Sequence, residues 1–468
     1  MRPAVHGSKD LMMRPFLSRS LLITVNVGIV VGLLALAECG ARLVQARRLG
    51  PNAYAPSHFM DRWTGWRNAP DYDRIDIHHD HQGFRRDGDV SLEEPPNTVR
   101  IFFLGGSAAY GSEGLFRALD PDWRRIYNRD LIDVWLEKRL QREHPEKHWE
   151  VINAAVNEFR MHQSLILIYE KLLLYKPDLI IFFDGHNDMS GIMGPTGPVY
   201  DAFASTPHEA EFQALTYPKT LSSLVFSMGT WLRNNSVLFA GIQRHIQERH
   251  QFGPPPDSGA VPTPVALDDL TAELRQRAEL NLSSHAGYYV QMAERIANAL
   301  DHEKIPVVFA LQPELILSPK PLTPVETKFA AHMRELSGRY GTYMYEQLRP
   351  RIAQDMADSA RRNGFTFVDT ADAFSGVREK TFTDYCHLTS RGNELMADKL
   401  YEAISDTLIP RLIASNAVFG RHPDINSTSS KSAPKQTRHS GPTRVTAALT
   451  GAPIGEAAAL VSLAPLSK

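Results

Sequence analysis

Cysteine is almost missing from this chain. Two occur in 468 residues, Cys39 and Cys386. A pair so far apart excludes a Cys-rich zinc module, and no structural disulfide is expected between them. The redox compartment stays open, because a protein without disulfides works on either side of a membrane. An excess of charge of one sign is missing too. Lys+Arg total 51 against 53 Asp+Glu, giving a formal net charge of -2 and a sequence pI near 6.8. No dense Lys/Arg stripe is interleaved with aromatics, so nucleic acid is not an expected partner. Internal repeats are also lacking. Apolar residues are plentiful: 43% hydrophobic against 22% charged residues allow a substantial core, in one large domain or two or three smaller ones.

The amino terminus is organised by charge. Arg2, Lys9, Arg14 and Arg19 precede an uncharged run from Leu21 to Ala37. At ~1.5 Å per helical residue the run spans roughly 25 Å, and its neighbours extend it towards a ~30 Å hydrocarbon core. A single transmembrane helix or signal anchor is expected. A cleaved signal peptide competes with it, since Ala35-Leu36-Ala37 resembles a small-x-small cleavage site. A lipoprotein box is excluded, because Glu38 stands where a small residue should precede Cys39. The basic flank argues against a buried soluble helix. It also favours an N-inside topology, although Arg42, Arg47 and Arg48 follow closely. The expected localisation is a single-pass membrane protein with its bulk outside the cytoplasm.

From Gly50 to about Pro96 the chain is polar, aromatic and irregular, with a patch His78-His79-Asp80-His81. A metal site is one reading of the patch. A solvated approach segment is the preferred one, because helical periodicity is absent and Gly83 follows at once. After Pro95-Pro96 strand-type runs alternate with helical stretches. Strands are expected at Val99–Leu104, Trp149–Ala155, Leu179–Phe183, Pro306–Leu311 and Thr366–Val368. Helices are expected at about Tyr127–Glu143, Gln163–Leu174, Ala286–Leu300 and Ser390–Ile404. This rhythm predicts an α/β fold with a parallel sheet covered on both faces. A Pro- and Gly-interrupted stretch from Met189 to Ser283 reads as an insertion, a partly helical lid near the site. Beyond about Ser415 the composition predicts a disordered tail.

Three short segments carry chemistry. Gly105-Gly106-Ser107-Ala108-Ala109-Tyr110-Gly111 follows a strand directly, where open α/β sheets bind ligands. Alone it is a common turn, and the G-x-S-x-G elbow is missing, since Ala109 stands at its second glycine. Asp184-Gly185-His186-Asn187-Asp188 also follows a strand. Its asparagine amide suits a developing oxyanion, although Asn and Asp equally stabilise plain turns. Asp384-Tyr385-Cys386-His387 precedes a helix and lets one loop present an acid and a base to a serine. By itself an Asp-x-x-His is a surface turn. His186 and Cys386 lie inside these motifs and are read as packing or hydrogen-bonding residues.

In this order the segments resemble the SGNH hydrolase superfamily, the GDSL-like lipases and acylhydrolases. Family-like blocks are GGSAAYG at 105–111, INAAVNEF at 152–159, DGHND at 184–188 and DYCH at 384–387. The resemblance spans about Gly83 to Ile404, and Gly83-Phe84-Arg85 is similar to the approach segment of membrane-anchored members. It implies a three-layer flavodoxin-like fold preceded by a transmembrane helix, with activity on ester bonds and no metal or organic cofactor. It also implies Ser107 as nucleophile, Asp384 and His387 as the other triad members, and Asn187 and the Ser107 amide as oxyanion donors. Two departures stand out. Gly106 replaces the aspartate of the commonest first block, which is not a triad member. Glu158 occupies the place of the second block's oxyanion glycine, so its backbone amide would have to donate, and its side chain is expected to narrow the range of substrates.

The expected organisation is a basic segment at 1–20, a transmembrane helix or signal anchor at 21–37, a linker and approach segment at 38–97, a hydrolase domain at 98–414 with an insertion at about 189–283, and a tail at 415–468. The expected function is hydrolysis of a small ester or acylated saccharide through an acyl-enzyme on Ser107. Acyl transfer to, or deacetylation of, an envelope polysaccharide is the rival within the same site. A non-catalytic binding module tethered to the membrane is the reading from another class, with Glu158 its best support.

Overall fold

Eight successive residues, Thr98–Gly105, are all buried and form the central strand β1 of a five-stranded parallel sheet. This is a computed structural model, and it describes residues 13–49, 57–190, 265–418 and parts of 224–242. The other strands are β2 (His148–Asn153), β3 (Leu179–Asp184), β4 (Val307–Leu311) and β5 (Thr366–Asp369). Their spatial order is β2-β1-β3-β4-β5, with every neighbouring pair parallel. That is the flavodoxin-like order, whose ligand crevice lies where the direction of winding reverses, between β1 and β3. The expected α/β class and parallel sheet are what the structure has.

Alternation along each strand builds two cores. Phe102, Leu104, Ile180, Phe182, Phe309 and Leu311 face one side, packing on α3 (Met161–Glu170) and α5 (Ala272–His302). Val99, Ile101, Phe103, Ile181, Phe183 and Val308 face the other, packing on α2 (Ile132–Glu143), α7 (Ser390–Ser405) and α8 (Ile409–Val418). Period-two alternation in strands that are buried throughout is what a sheet between two helical layers requires. The hydrolase domain also contains α1 (Ser107–Tyr110), α4 (His186–Ser190) and α6 (Pro324–Asn363), the last broken at Gly338.

Several boundaries differ from the sequence reading. The N-terminal helix does not stop at Ala37 but runs unbroken over Met13–Leu49, taking in the first part of the supposed linker. Its Leu21–Arg48 portion is long and apolar enough to cross a membrane, and no residue of its most apolar window is buried. α5 starts at Ala272, inside the stretch assigned to the insertion, because Thr271 caps it by accepting from the Leu274 amide. Residues 191–223 and 243–264 of the insertion lie outside the described residues, as do 1–12 and 419–468, which hold most of the expected tail. α8 runs to Val418, past the boundary expected at 415.

The approach segment is neither irregular nor merely solvated. It forms two small antiparallel hairpins, His58–Asp61 with Gly65–Asn68 and Asp73–Arg74 with Ile77–His78. Trp66, Phe84 and Val90 reach into the core. Within the histidine patch, His79 and Asp80 are only 5% exposed each. Asp80 accepts backbone N–H bonds from Gln82, Phe84 and Val90. Burial pulls the His79 pKa down to about 3. The neutral ring donates from Nδ1 to the Ala69 carbonyl and accepts from the Tyr110 hydroxyl, 2.8 Å each. The segment is an integral layer because its buried polar groups meet partners both within it and on the domain beneath, such as Tyr110.

Arg85 shows what that layer does. Its guanidinium is fully buried and donates to the carbonyls of Tyr110 (2.8 Å), Gly111 (2.8 Å) and Ile126 (3.0 Å), and to Asn128 Oδ1 (3.2 Å). Two of these carbonyls end α1, the turn that begins with Ser107. A buried cation surrounded by acceptors is stable only as a set, since removing it strands every partner. Arg85→Ala is therefore expected to cost about 3 kcal/mol or more in urea unfolding. Arg85→Lys should recover only part of this loss, because one ammonium cannot reach all four acceptors.

Candidate active site

The site is built where β1 and β3 end side by side. Gly105 pairs with Phe183 at the last register position, with φ +148°, and a Cβ there would lie 2.2 Å from the Phe183 carbonyl oxygen. Only glycine permits that approach. Gly106 is tightly packed too, although its φ is ordinary: an added Cβ would meet the Asn187 amide nitrogen at 2.1 Å and the Phe159 carbonyl oxygen at 3.0 Å. The absence of the usual aspartate from the first block thus has a local reason, because here the Asn187 amide packs over residue 106. The same amide donates to the Phe159 carbonyl at 2.9 Å, which fixes its orientation.

Ser107 opens α1, with its hydroxyl 2.8 Å from His387 Nε2. His387 Nδ1 lies 2.7 Å from Asp384 Oδ2, so the ring donates to the carboxylate and keeps Nε2 free to accept from the serine. Asp384 is fully buried. Its Oδ2 also accepts from the Leu115 amide (2.7 Å), and Oδ1 accepts from the amides of Cys386 and His387 (2.9 Å each). Burial alone would push the Asp384 pKa up, but the His387 charge and these hydrogen bonds outweigh it and hold the carboxyl below its ordinary value. For His387 burial works downward, while Asp384 and the more distant Glu314 charge lift the pKa above its ordinary value.

The loop that carries acid and base is held from below by a second buried pair. Glu326 and Lys320 have fully buried side chains 2.6 Å apart. Glu326 Oε1 accepts the amides of Thr381 (2.9 Å) and Phe382 (3.2 Å), just ahead of Asp384. On the Asn187 side, His186 Nδ1 lies 2.9 Å from Glu314 Oε1 and 2.7 Å from the Tyr345 hydroxyl. Asp184 and Asp188 flank the same turn. Burial pushes both carboxyls up, Asp188 to about 6. Glu326, Lys320, Glu314 and Arg85 were not picked out as site residues from sequence. Glu314 could have been, since it lies just past the carboxyl end of β4, where open α/β sheets place functional groups.

A metal fits this site poorly. Asp384, Cys386 and His387 offer ligand-type atoms within 4.8 Å of one another, the one such group among the described residues. Two of those atoms already bond each other, and burial raises the Cys386 thiol far above its ordinary pKa, so it is a protonated and weak ligand. Cys39 and Cys386 are both free.

Glu158 is the exceptional residue. Its φ is +64°, the left-handed conformation that glycine adopts freely and other residues rarely do. The backbone thus keeps the conformation that suits a glycine while carrying a glutamate, half-buried, whose charge is among those that raise the Tyr385 phenol beside His387. Burial is the larger cause of that rise. Glu158→Gly is expected to leave stability unchanged or raise it by up to about 1 kcal/mol, because relief of the left-handed conformation exceeds glycine's added chain entropy. Glu158→Val should lose roughly 1–2 kcal/mol at the same position. Urea midpoints of the two variants beside the wild type check the sign.

No curated protein matches the chain. Among solved structures it is similar to the acetyl xylan esterase AlAXEase, at 12% identity and a TM-score of 0.32, over 65% of this chain and 100% of that one. It is also similar to a catalytic mutant of Axe2, an acetylxylan esterase from Geobacillus stearothermophilus, at 13% identity and a TM-score of 0.32, over 67% and 96%. A third is LAE5, an alpha/beta hydrolase enzyme from the metagenome of Lake Arreo, Spain, at 12% identity and a TM-score of 0.29, over 66% and 95%. The GDSL-like Lipase/Acylhydrolase family matches residues 103–395, more than half of the sequence, and the chain belongs to that family.

Proposed function

We propose that this protein hydrolyses carboxylic esters through an acyl-enzyme on Ser107. The observation that carries the reading is the unbroken relay from Ser107 Oγ to His387 Nε2 and from His387 Nδ1 to Asp384 Oδ2, at 2.8 and 2.7 Å. In the first half-reaction His387 takes the serine proton as Oγ attacks the ester carbonyl. The oxyanion meets the Ser107 amide and the Asn187 side chain, with the Glu158 amide as a further donor. Collapse breaks the acyl–oxygen bond, and His387 returns the proton to the departing alcohol. Water then repeats the sequence on the acyl-serine, releasing the acid and restoring Ser107. Asp384 keeps the imidazole in the required tautomer and stabilises its cation.

The N-terminal helix is read as a single membrane anchor, on the strength of its exposed apolar surface and the basic residues before it. The site then works beside a membrane, on a small ester or an acylated saccharide. Product analysis with a polysaccharide acceptor present separates hydrolysis, which yields free acid, from acyl transfer, which yields an acylated acceptor.

A fluorophosphonate probe tests the nucleophile. Wild-type protein should label, while Ser107→Ala and His387→Ala should not, at unchanged far-UV dichroism. Folded wild type that fails to label would favour the non-catalytic reading. The pH profile tests the base. Only neutral imidazole takes the serine proton, so kcat/KM falls as pH drops through the His387 pKa. With that pKa raised, the acid limb should have its midpoint above about 6.5. Asp384→Asn removes the main raising contributions, so the limb should move to lower pH while kcat falls about 10⁴-fold.

A further inference from the structure

We infer that the described residues between Leu224 and Ile242 make a second membrane contact, in which their apolar helical face lies in the lipid interface beside the N-terminal helix. The inference rests on reading that helix as a membrane anchor. Glu38 directly follows the uncharged run that ends at Ala37, which places its carboxylate at the boundary between hydrocarbon and water. The carboxylate accepts from Ser236 Oγ (2.8 Å) and from the amides of Val237 (2.9 Å) and Leu238 (3.0 Å). Arg42, one turn on and 2.7 Å from Glu38, donates to the Asn235 carbonyl at 2.6 Å. An acid satisfies the orphan amides at the start of one helical turn and a base satisfies a carbonyl at the end of another. The insertion is thereby tied to the anchor at the level of the membrane surface.

The tied segment is apolar where it should be polar. Ser236 donates its amide to the Leu232 carbonyl and Asn235 its side-chain amide to that of Trp231, and the described residues before Ser236 are helical. Leu224, Val225, Met228 and Trp231 recur at the spacing of one helix face. Each is at least half exposed, from 50% at Leu224 to 62% at Trp231, and Ile242 is 52% exposed. Water is a poor neighbour for such a face, and its position selects the occupant. A second copy could cover it anywhere, but the Glu38 and Arg42 bonds hold the end of this stretch beside the anchor, where the bilayer is the nearest apolar phase. A tryptophan at that level is what the headgroup region favours. Amphipathic helices of this kind lie in the interface plane with their apolar side in the acyl boundary. The two contacts together fix the tilt of the hydrolase domain over the membrane, which a single anchor helix would leave free.

The test uses the full chain in phosphatidylcholine/phosphatidylglycerol vesicles, with and without nitroxide-labelled lipid. On a Cys39→Ser background, single cysteines are placed by Met228→Cys, Leu36→Cys and Leu336→Cys and labelled with an environment-sensitive fluorophore. Cys386 is buried and stays unlabelled in the folded protein. The fluorophores at 36 and 228 should be quenched by nitroxide lipid at least twofold more than that at 336, an exposed position of the hydrolase domain. Glu38→Ala should reduce quenching at 228 and leave that at 36 intact. Quenching at 36 with none at 228 would overturn the inference while sparing the anchor. An apolar emission at 228 without lipid quenching would assign the face to a protein partner and overturn it too. Failure at 36 itself would remove the anchor reading, and this inference with it. Quenching at 228 unchanged by Glu38→Ala would overturn the role given to the Glu38 tie.

Discussion

The approach of β1 to β3 at their carboxyl ends is the constraint on which the rest of the site depends. Gly105 sits so close to the Phe183 carbonyl that no side chain fits between them. Because the strands are parallel, neighbours in register, and on opposite sides of the winding reversal, the chain leaves both at the same edge of the sheet. One exit starts α1 with Ser107, and the other starts α4 with His186 and Asn187. The serine and the asparagine, 80 positions apart, therefore share one crevice without needing a loop to carry either across. The Asn187 amide seated over Gly106 is the direct consequence, since a Cβ at 106 would displace it.

Around that fixed edge, buried charges do the positioning. Arg85 closes the turn after Ser107, the Glu326–Lys320 pair holds the strand-like entry to the His387 loop, and Asp384 ties that loop to the Leu115 amide. Each lies where the chain leaves regular structure and backbone groups lack ladder partners. Charged acceptors and donors make stronger bonds there than neutral ones. They also penalise any geometry that leaves them unmet. The opposite shifts at Asp384 and His387 belong to the same logic, because each charge favours its neighbour's charged form against the pull of burial.

Much of this was legible in the sequence, and what was not has physical reasons. All five sheet strands were visible, since a strand buried on both faces is a short apolar run bounded by turn residues. Ser107, Asn187, Asp384 and His387 were legible as residue types just past strands or before a helix, and the structure brings Ser107, Asp384 and His387 within hydrogen-bond reach in one relay. The 40-residue helix α6 was missed because Gly338 breaks it and Pro350 lies inside it, so no single apolar period runs along its length. The approach segment was misjudged because its burial is polar. Asp80, His79 and Arg85 read as surface residues until the carbonyls and amides that satisfy them are known, and those partners come from remote or irregular chain. A hydrophobicity pattern cannot report a polar group that is buried with its partners.

Glu158 binds these strands of argument together. A glutamate at φ +64° costs of order 1 kcal/mol or more, and the surrounding fold over-determines it. Its immediate neighbour Phe159 is fully buried and accepts the Asn187 amide through its carbonyl, so the backbone here is held by the same contact that orients the Asn187 side chain. The conformation is thus imposed by the site rather than chosen by the residue. A glycine would fill it at no steric cost, which means that the backbone geometry alone does not account for the glutamate. What the glutamate adds is a carboxylate whose charge, behind burial and other nearby acids, helps raise the phenol of Tyr385, a ring 6.4 Å from that of His387.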